Sequence, residues 1–114
     1  MKIYIYILLF NIFFISMLNA SQEVCAETDE DLGPVTITCP DGSLIVSVDF
    51  DSYGSPTGTC GNYQIGECHC DPNDTGSWID TNSQSFDANN LLCGDPCEHI
   101  VKDRYVQVSC GPIN

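Results

Sequence analysis

Eight cysteines constrain this chain of 114 residues more than any other feature. They are Cys25, Cys39, Cys60, Cys68, Cys70, Cys93, Cys97 and Cys110, and all of them follow residue 20. An even number of cysteines in an exported chain reads as a disulfide framework. Sequence alone leaves about 105 ways of pairing eight of them. A fold this small buries a low share of its surface, so its core is marginal. Each bridge contributes ~2–4 kcal/mol, mainly by restricting the unfolded chain. Four bridges can match or exceed what such a core supplies.

The N-terminus fits export. Lys2 supplies a positive start, Ile3 to Leu18 is almost wholly apolar, and Leu18-Asn19-Ala20 ends on a small residue. Residues 1–20 are therefore expected to be a signal peptide, cleaved after Ala20 or Ser21. The rival reading is an uncleaved anchor, but the stretch is short for a spanning helix and Asn11 interrupts it. No second apolar run follows, so no membrane span is expected once the signal is removed. Residues 21–114 fit one domain.

The charge is strongly acidic. Three Lys and Arg face sixteen Asp and Glu, and loss of Lys2 with the signal takes the formal charge from −13 to −14. Phosphate recognition needs the opposite sign, so nucleic acid and anionic membranes are not expected partners. The run Glu27-Thr28-Asp29-Glu30-Asp31 reads as a solvated loop.

Three segments alternate with period two and predict half-buried strands. In Val35–Cys39 the shared face is Val35, Ile37 and Cys39. In Leu44–Phe50 it is Leu44, Val46, Val48 and Phe50. In Arg104–Cys110 it is Val106, Val108 and Cys110. Pro40-Asp41-Gly42 has turn chemistry and predicts a hairpin joining the first two. Ser52 to Ser85 is rich in Gly, Pro, Asn, Asp, Ser and Thr and reads as a long loop region pinned by Cys60, Cys68 and Cys70. Phe86–Leu92 fits a short helix, with Ser85 as N-cap and Asp87 in its first turn.

Chemistry-bearing motifs are few. Cys68-His69-Cys70 with Cys93 and Cys97 has the elements of a zinc site, yet exported cysteines usually pair with one another. Asp71-Pro72-Asn73-Asp74-Thr75-Gly76 starts like a calcium loop, but Asn82 stands where a bidentate Glu is needed, so a polar turn is favoured. No metal or cofactor is expected. Asn73-Asp74-Thr75 is an N-glycosylation sequon. His69 and His99 both neighbour cysteines, and no serine sits in a nucleophile elbow. A carboxylate pair cannot be singled out on so acidic a chain. No enzymatic activity is expected.

Two stretches carry more information. One runs Tyr53-Gly54-Ser55-Pro56-Thr57-Gly58-Thr59-Cys60-Gly61-Asn62-Tyr63-Gln64-Ile65-Gly66-Glu67-Cys68-His69. The other is Gly94-Asp95-Pro96-Cys97, followed by Lys102 and a strand ending at Cys110. In this order, with Cys39 and the Leu44–Phe50 strand upstream, the chain resembles the SUEL-type lectin domain. That family binds galactose or rhamnose and also occurs in animal cell-surface receptors. The chain looks most like the version at the C-terminus of plant β-galactosidases. The resemblance runs from about Cys25 to Cys110.

The resemblance implies a small α+β domain with antiparallel strands, one or two short helices and long disulfide-pinned loops. It also implies the pairing Cys25–Cys60, Cys39–Cys110, Cys68–Cys97 and Cys70–Cys93. The implied sugar contacts are Glu27, Tyr53, Asp95 and Lys102. Carboxylates accept from vicinal hydroxyls, an ammonium donates to them, and a ring covers the sugar's apolar face. The chain departs from the animal version at Ser52 and Ser55, where Asn and Arg are usual, and at His99, where a Gly is usual. The function implied is a secreted carbohydrate-binding module with a carbohydrate or glycoprotein partner. The alternative is an extracellular protein-interaction module on the same scaffold.

Overall fold

The computed structural model describes residues 21–113. The expected signal peptide, residues 1–20, lies outside them. The described residues form eight strands and no helix: β1 (Gln22–Asp29), β2 (Val35–Thr38), β3 (Ser43–Gly54), β4 (Thr57–Thr59), β5 (Asn62–Gln64), β6 (His69–Cys70), β7 (Ser83–Phe86) and β8 (Asp103–Pro112). The fold is all-β, which corrects the α+β expectation. The segment expected to be helical is used otherwise. Phe86 ends β7 opposite Val35, and Phe86 and Ala88 are buried. Extended backbone puts Phe86 into the core, and this packing overrides the weak local helix signal.

The main sheet has the order β1-β8-β3-β6, with every pairing antiparallel. The central strand β8 is the most clearly patterned. Val106, Val108 and Cys110 point inward with 0, 0 and 2% exposure. Arg104 shares that face and is also buried. A second layer, β2 paired with β7, closes over it. The core between the layers contains Ile37, Cys39, Ile45, Trp78, Phe86, Val106, Val108 and Cys110. The Cys39–Cys110 disulfide staples one layer to the other across 71 residues of sequence. On the exposed side of the small sheet, Thr36–Ser85 and Thr38–Ser83 hydroxyl pairs at 2.9 and 2.8 Å reinforce the register.

Two expectations about local pairing fail for identifiable reasons. The turn at Pro40-Asp41-Gly42 forms, with Ser43 N donating to Pro40 O at 3.1 Å and Gly42 at φ +80°. It does not make a hairpin. It carries the chain from the small sheet to the large one, where β3 pairs with β8. The inward face of β3 also differs. Register shifts between Ile45 and Ser47 and between Val48 and Phe50 break the alternation. Ile45 is therefore buried and Val46 is 49% exposed.

The opposite face of the main sheet carries its own small cluster. Phe50, Tyr63 and Tyr105 stack in tilted pairs with centroids 5.3 and 4.9 Å apart. The β4–β5 hairpin delivers Tyr63, and Cys25–Cys60 ties that hairpin to β1. Gly58 is required there, because a Cβ would lie 2.2 Å from Asn62 O.

Candidate functional site

The candidate site forms where β1 ends and β8 begins. The β1–β8 ladder runs to Asp29↔Asp103. One step beyond it, Glu30 N donates to Lys102 O at 2.8 Å, and Lys102 N donates to Glu30 Oε2 at 3.1 Å. This sets the Glu30 carboxylate beside the Lys102 side chain. Lys102 Nζ donates to Asp95 Oδ1 at 2.8 Å, Ile100 O at 2.9 Å and Cys97 O at 3.4 Å. Glu30 Oε1 lies 3.4 Å from the same nitrogen. The ammonium stands 5.9 Å from the Tyr53 ring centroid. The Tyr53 hydroxyl donates to Asn90 Oδ1 at 2.7 Å, and Glu30 Oε1 is a second, longer acceptor at 3.2 Å for the same proton.

Burial divides the cluster. Tyr53 and Lys102 are 0 and 1% exposed, whereas the Asp95 side chain is 36% exposed. The hydrogen bond from Lys102 holds the Asp95 carboxyl below its ordinary range. The Lys102 backbone N–H does the same for Glu30. Asp95, in turn, raises the Lys102 ammonium. Burial, reinforced by Glu30, pushes the Tyr53 phenol up. At neutral pH the site holds two carboxylates, one ammonium and a neutral phenol.

The loop that brings Asp95 has no strand of its own. Two disulfides, Cys68–Cys97 and Cys70–Cys93, tie it to β6 and the residue before it. With Cys25–Cys60 and Cys39–Cys110, these are the pairs the resemblance implies. The sulfurs of the Cys68-His69-Cys70 motif are therefore spent on disulfides.

Of the expected contacts, Tyr53, Asp95 and Lys102 come together and Glu27 does not join them. Glu27 lies on the other face of β1 and accepts from the Tyr63 hydroxyl at 2.7 Å. Burial, then Glu27, pushes that phenol up. Glu30 occupies the place beside Lys102. Sequence reading missed it because the run from Glu27 to Asp31 looks like a loop. Strand β1 becomes visible only through its pairing with β8. Ser52 and Ser55 tie β3 to the β6 side: Ser52 Oγ lies 2.7 Å from His69 Nδ1, and Cys68 N donates to Ser55 Oγ at 3.1 Å. Ser52 has no exposed surface, so this Ser–His contact offers no accessible nucleophile. His99 adopts φ +68°, a conformation that suits the Gly usual at that position.

A second ion cluster was also hidden in the sequence. Arg104 makes paired bonds to Asp51 at 2.9 and 2.8 Å and to Asp74 at 3.2 and 2.6 Å, and donates to Asp87 O at 3.0 Å. Its guanidinium lies 5.0 Å from the Phe86 ring centroid. Asp74 is the middle residue of the sequon. Asn73 is exposed on the same loop, where its N–H donates to Asp71 Oδ1 at 2.9 Å. A cavity of about 240 Å³ lies at the other end of β8, beside Pro40-Asp41-Gly42, Gly111 and Pro112, and includes none of the expected sugar contacts.

No family model matches the chain. Among curated proteins it is similar to β-galactosidase 6 of Oryza sativa subsp. japonica, 33% identical over 92 residues. It is also similar to β-galactosidase 11 of Arabidopsis thaliana, 32% identical over 101 residues, and to β-galactosidase 7 of Oryza sativa subsp. japonica, 31% identical over 107 residues. These alignments take in 75, 79 and 76% of this chain but 10, 12 and 13% of the relatives. The chain thus spans about a tenth of the length of the plant β-galactosidases it matches.

Proposed function

We propose that this chain is a secreted, non-catalytic carbohydrate-binding module for galactose- or rhamnose-like sugars. The observation that carries the reading is the similarity of about three quarters of the chain to a short segment of plant β-galactosidases. In this reading the segment is the lectin-like C-terminal part of those enzymes, and their catalytic machinery lies in the remainder. The network of Glu30, Tyr53, Asp95 and Lys102 supports it. That network fixes a partly exposed carboxylate, Asp95, on a buried ammonium, and a carboxylate accepts strongly from sugar hydroxyls. Four disulfides support an oxidising destination outside the cell. Asn73, exposed on its loop, is the residue proposed to carry an N-linked glycan in a glycosylating host.

A glycan array probed with the mature protein tests the function. Binding to terminal galactose or rhamnose, weakened at least about tenfold by Asp95→Ala, is the expected result. Absence of any sugar ligand, or a ligand indifferent to Asp95→Ala, refutes the assignment. Intact mass before and after N-glycosidase treatment, with Asn73→Gln as the comparison, tests the glycan.

A further inference from the structure

Both cations of the described residues are internal. Arg104 is fully buried and Lys102 is 1% exposed. An ammonium has three hydrogens. Around Lys102, Asp95 Oδ1, Ile100 O and Cys97 O take them, with Glu30 Oε1 as a further neighbour. A ligand oxygen reaches an ammonium hydrogen here only by displacing one of these partners. Outward from the buried ammonium stands the partly exposed Asp95 carboxylate. Glu98 is exposed on the same loop. Asp87 is exposed on the next segment, as is Asp31, whose N–H bonds Ala88 O. The large exposed hydrophobics of the described residues are all aliphatic, so none offers a ring for stacking. The site therefore recognises mainly by accepting hydrogen bonds, under a negative potential that no exposed Lys or Arg among the described residues offsets; the exposed imidazole of His99, on the same loop, is the one exposed titratable nitrogen acting on Asp95.

We infer that the site selects sugars bearing a protonated amine, the hexosamines, over their neutral and acidic counterparts. This deepens the carbohydrate-binding reading and rests on it. A hydroxyl brings one donor to a carboxylate; an ammonium brings three and a full charge. A uronic acid would face the same carboxylates with like charge. The Lys102 hydrogen bond keeps Asp95 ionised at mildly acidic pH, where a sugar amine is protonated.

The experiment is calorimetric titration of the mature protein with methyl galactoside, its 2-amino-2-deoxy counterpart and methyl galacturonide. At pH 6 and low salt the amino sugar is expected to bind about fivefold more tightly than the neutral one, the ratio for unit charges about 4 Å apart in water. By the same term with its sign reversed, the uronide is expected to bind about fivefold more weakly than the neutral sugar. The advantage should shrink by about half or more in 0.5 M salt, where the Debye length is about 4 Å, and vanish above about pH 8, where an amine of this kind loses its proton. Asp95→Asn should abolish the preference, whereas Asp41→Asn at the far end of the molecule should keep it. The salt and pH arms use the unaltered protein, so a misfolded variant does not decide the outcome. Equal or tighter binding of the neutral sugar than of the amino sugar, or uronide binding as tight as that of the neutral sugar, overturns this inference and leaves the carbohydrate-binding reading standing. Binding of no sugar at all removes that reading, and the inference with it.

Discussion

A guanidinium with no exposed surface must find acceptors for five N–H groups. Arg104 finds them on Asp51, Asp74 and the Asp87 carbonyl, drawing β3, the sequon loop and the segment after β7 onto β8. The partners are not equivalent. The Asp51 side chain is 6% exposed and that of Asp74 is 42% exposed. Arg104→Met strands Asp51 as an uncompensated buried charge and should cost roughly 3–5 kcal/mol. Asp74→Asn leaves Arg104 paired with Asp51, and its partner is solvated, so it should cost about 1 kcal/mol or less. Urea denaturation of the two variants checks the difference. Comparable losses would mean that the sequon loop, rather than the buried pair, carries the stability. His99 offers the opposite test. A residue with a Cβ in the left-handed region costs ~1–2 kcal/mol, part of which glycine gives back as unfolded-state entropy. With φ at +68°, His99→Gly should stabilise by about 0.5 kcal/mol, read as a higher urea midpoint.

Among the strands, β8 was legible because one rule governs its whole length: alternate residues face the core, and the apolar half of that face was named correctly. The same rule put Val46 inside β3, where a bulge turns Ile45 inward instead. A bulge depends on what the partner strand offers, and no local pattern announces it. Strand β1 was hidden for a similar reason. Its outward face is acidic, and only pairing with β8 makes it a strand. The candidate site inherits these limits. Tyr53, Asp95 and Lys102 were read from motifs, while Glu30 depended on a register invisible in sequence. The Asp95 loop poses the sharpest question at this scale, since it has no ladder to hold it and relies on Cys68–Cys97 and Cys70–Cys93. The second of these closes a span of 23 residues, so its removal should cost roughly 3 kcal/mol. The damage should also be local. Cys70→Ser with Cys93→Ser should speed amide exchange in residues 89–101 while β8 stays protected, because Cys39–Cys110 and the core are untouched. Uniform loss of protection would show that the loop and the sheet unfold as one unit.

At the scale of the whole molecule, the two cations of the described residues are internal and leave the described surface to carboxylates, whose mutual repulsion opposes the compact state. Specific pairs then decide how stability follows pH. Asp29 and Asp103 face each other in register at the end of the β1–β8 ladder, with Glu27 nearby. Burial first, then the proximity of Asp29, pushes the Asp103 carboxyl up. A raised carboxyl stabilises fully below its unfolded value, about 3.9, and that contribution is lost as pH rises through the folded value. Glu30 and Asp95 behave in the opposite sense. Their lowered values give stability above about pH 4, lost as they take up protons in acid. Stability should therefore rise as pH falls through the raised value of Asp103, and decline below about 4 as Glu30 and Asp95 take up protons. Urea midpoints across this range, for the unaltered protein and for Asp103→Asn, separate the sources. The variant should be more stable at pH 7, lose the part of the rise that belongs to Asp103 while keeping the part that burial gives Asp51, and keep the acid decline that belongs to the Lys102 network. If the rise persists undiminished in Asp103→Asn but disappears in 0.5 M salt, repulsion across the whole surface, and not this one pair of strand-end carboxylates, governs the response.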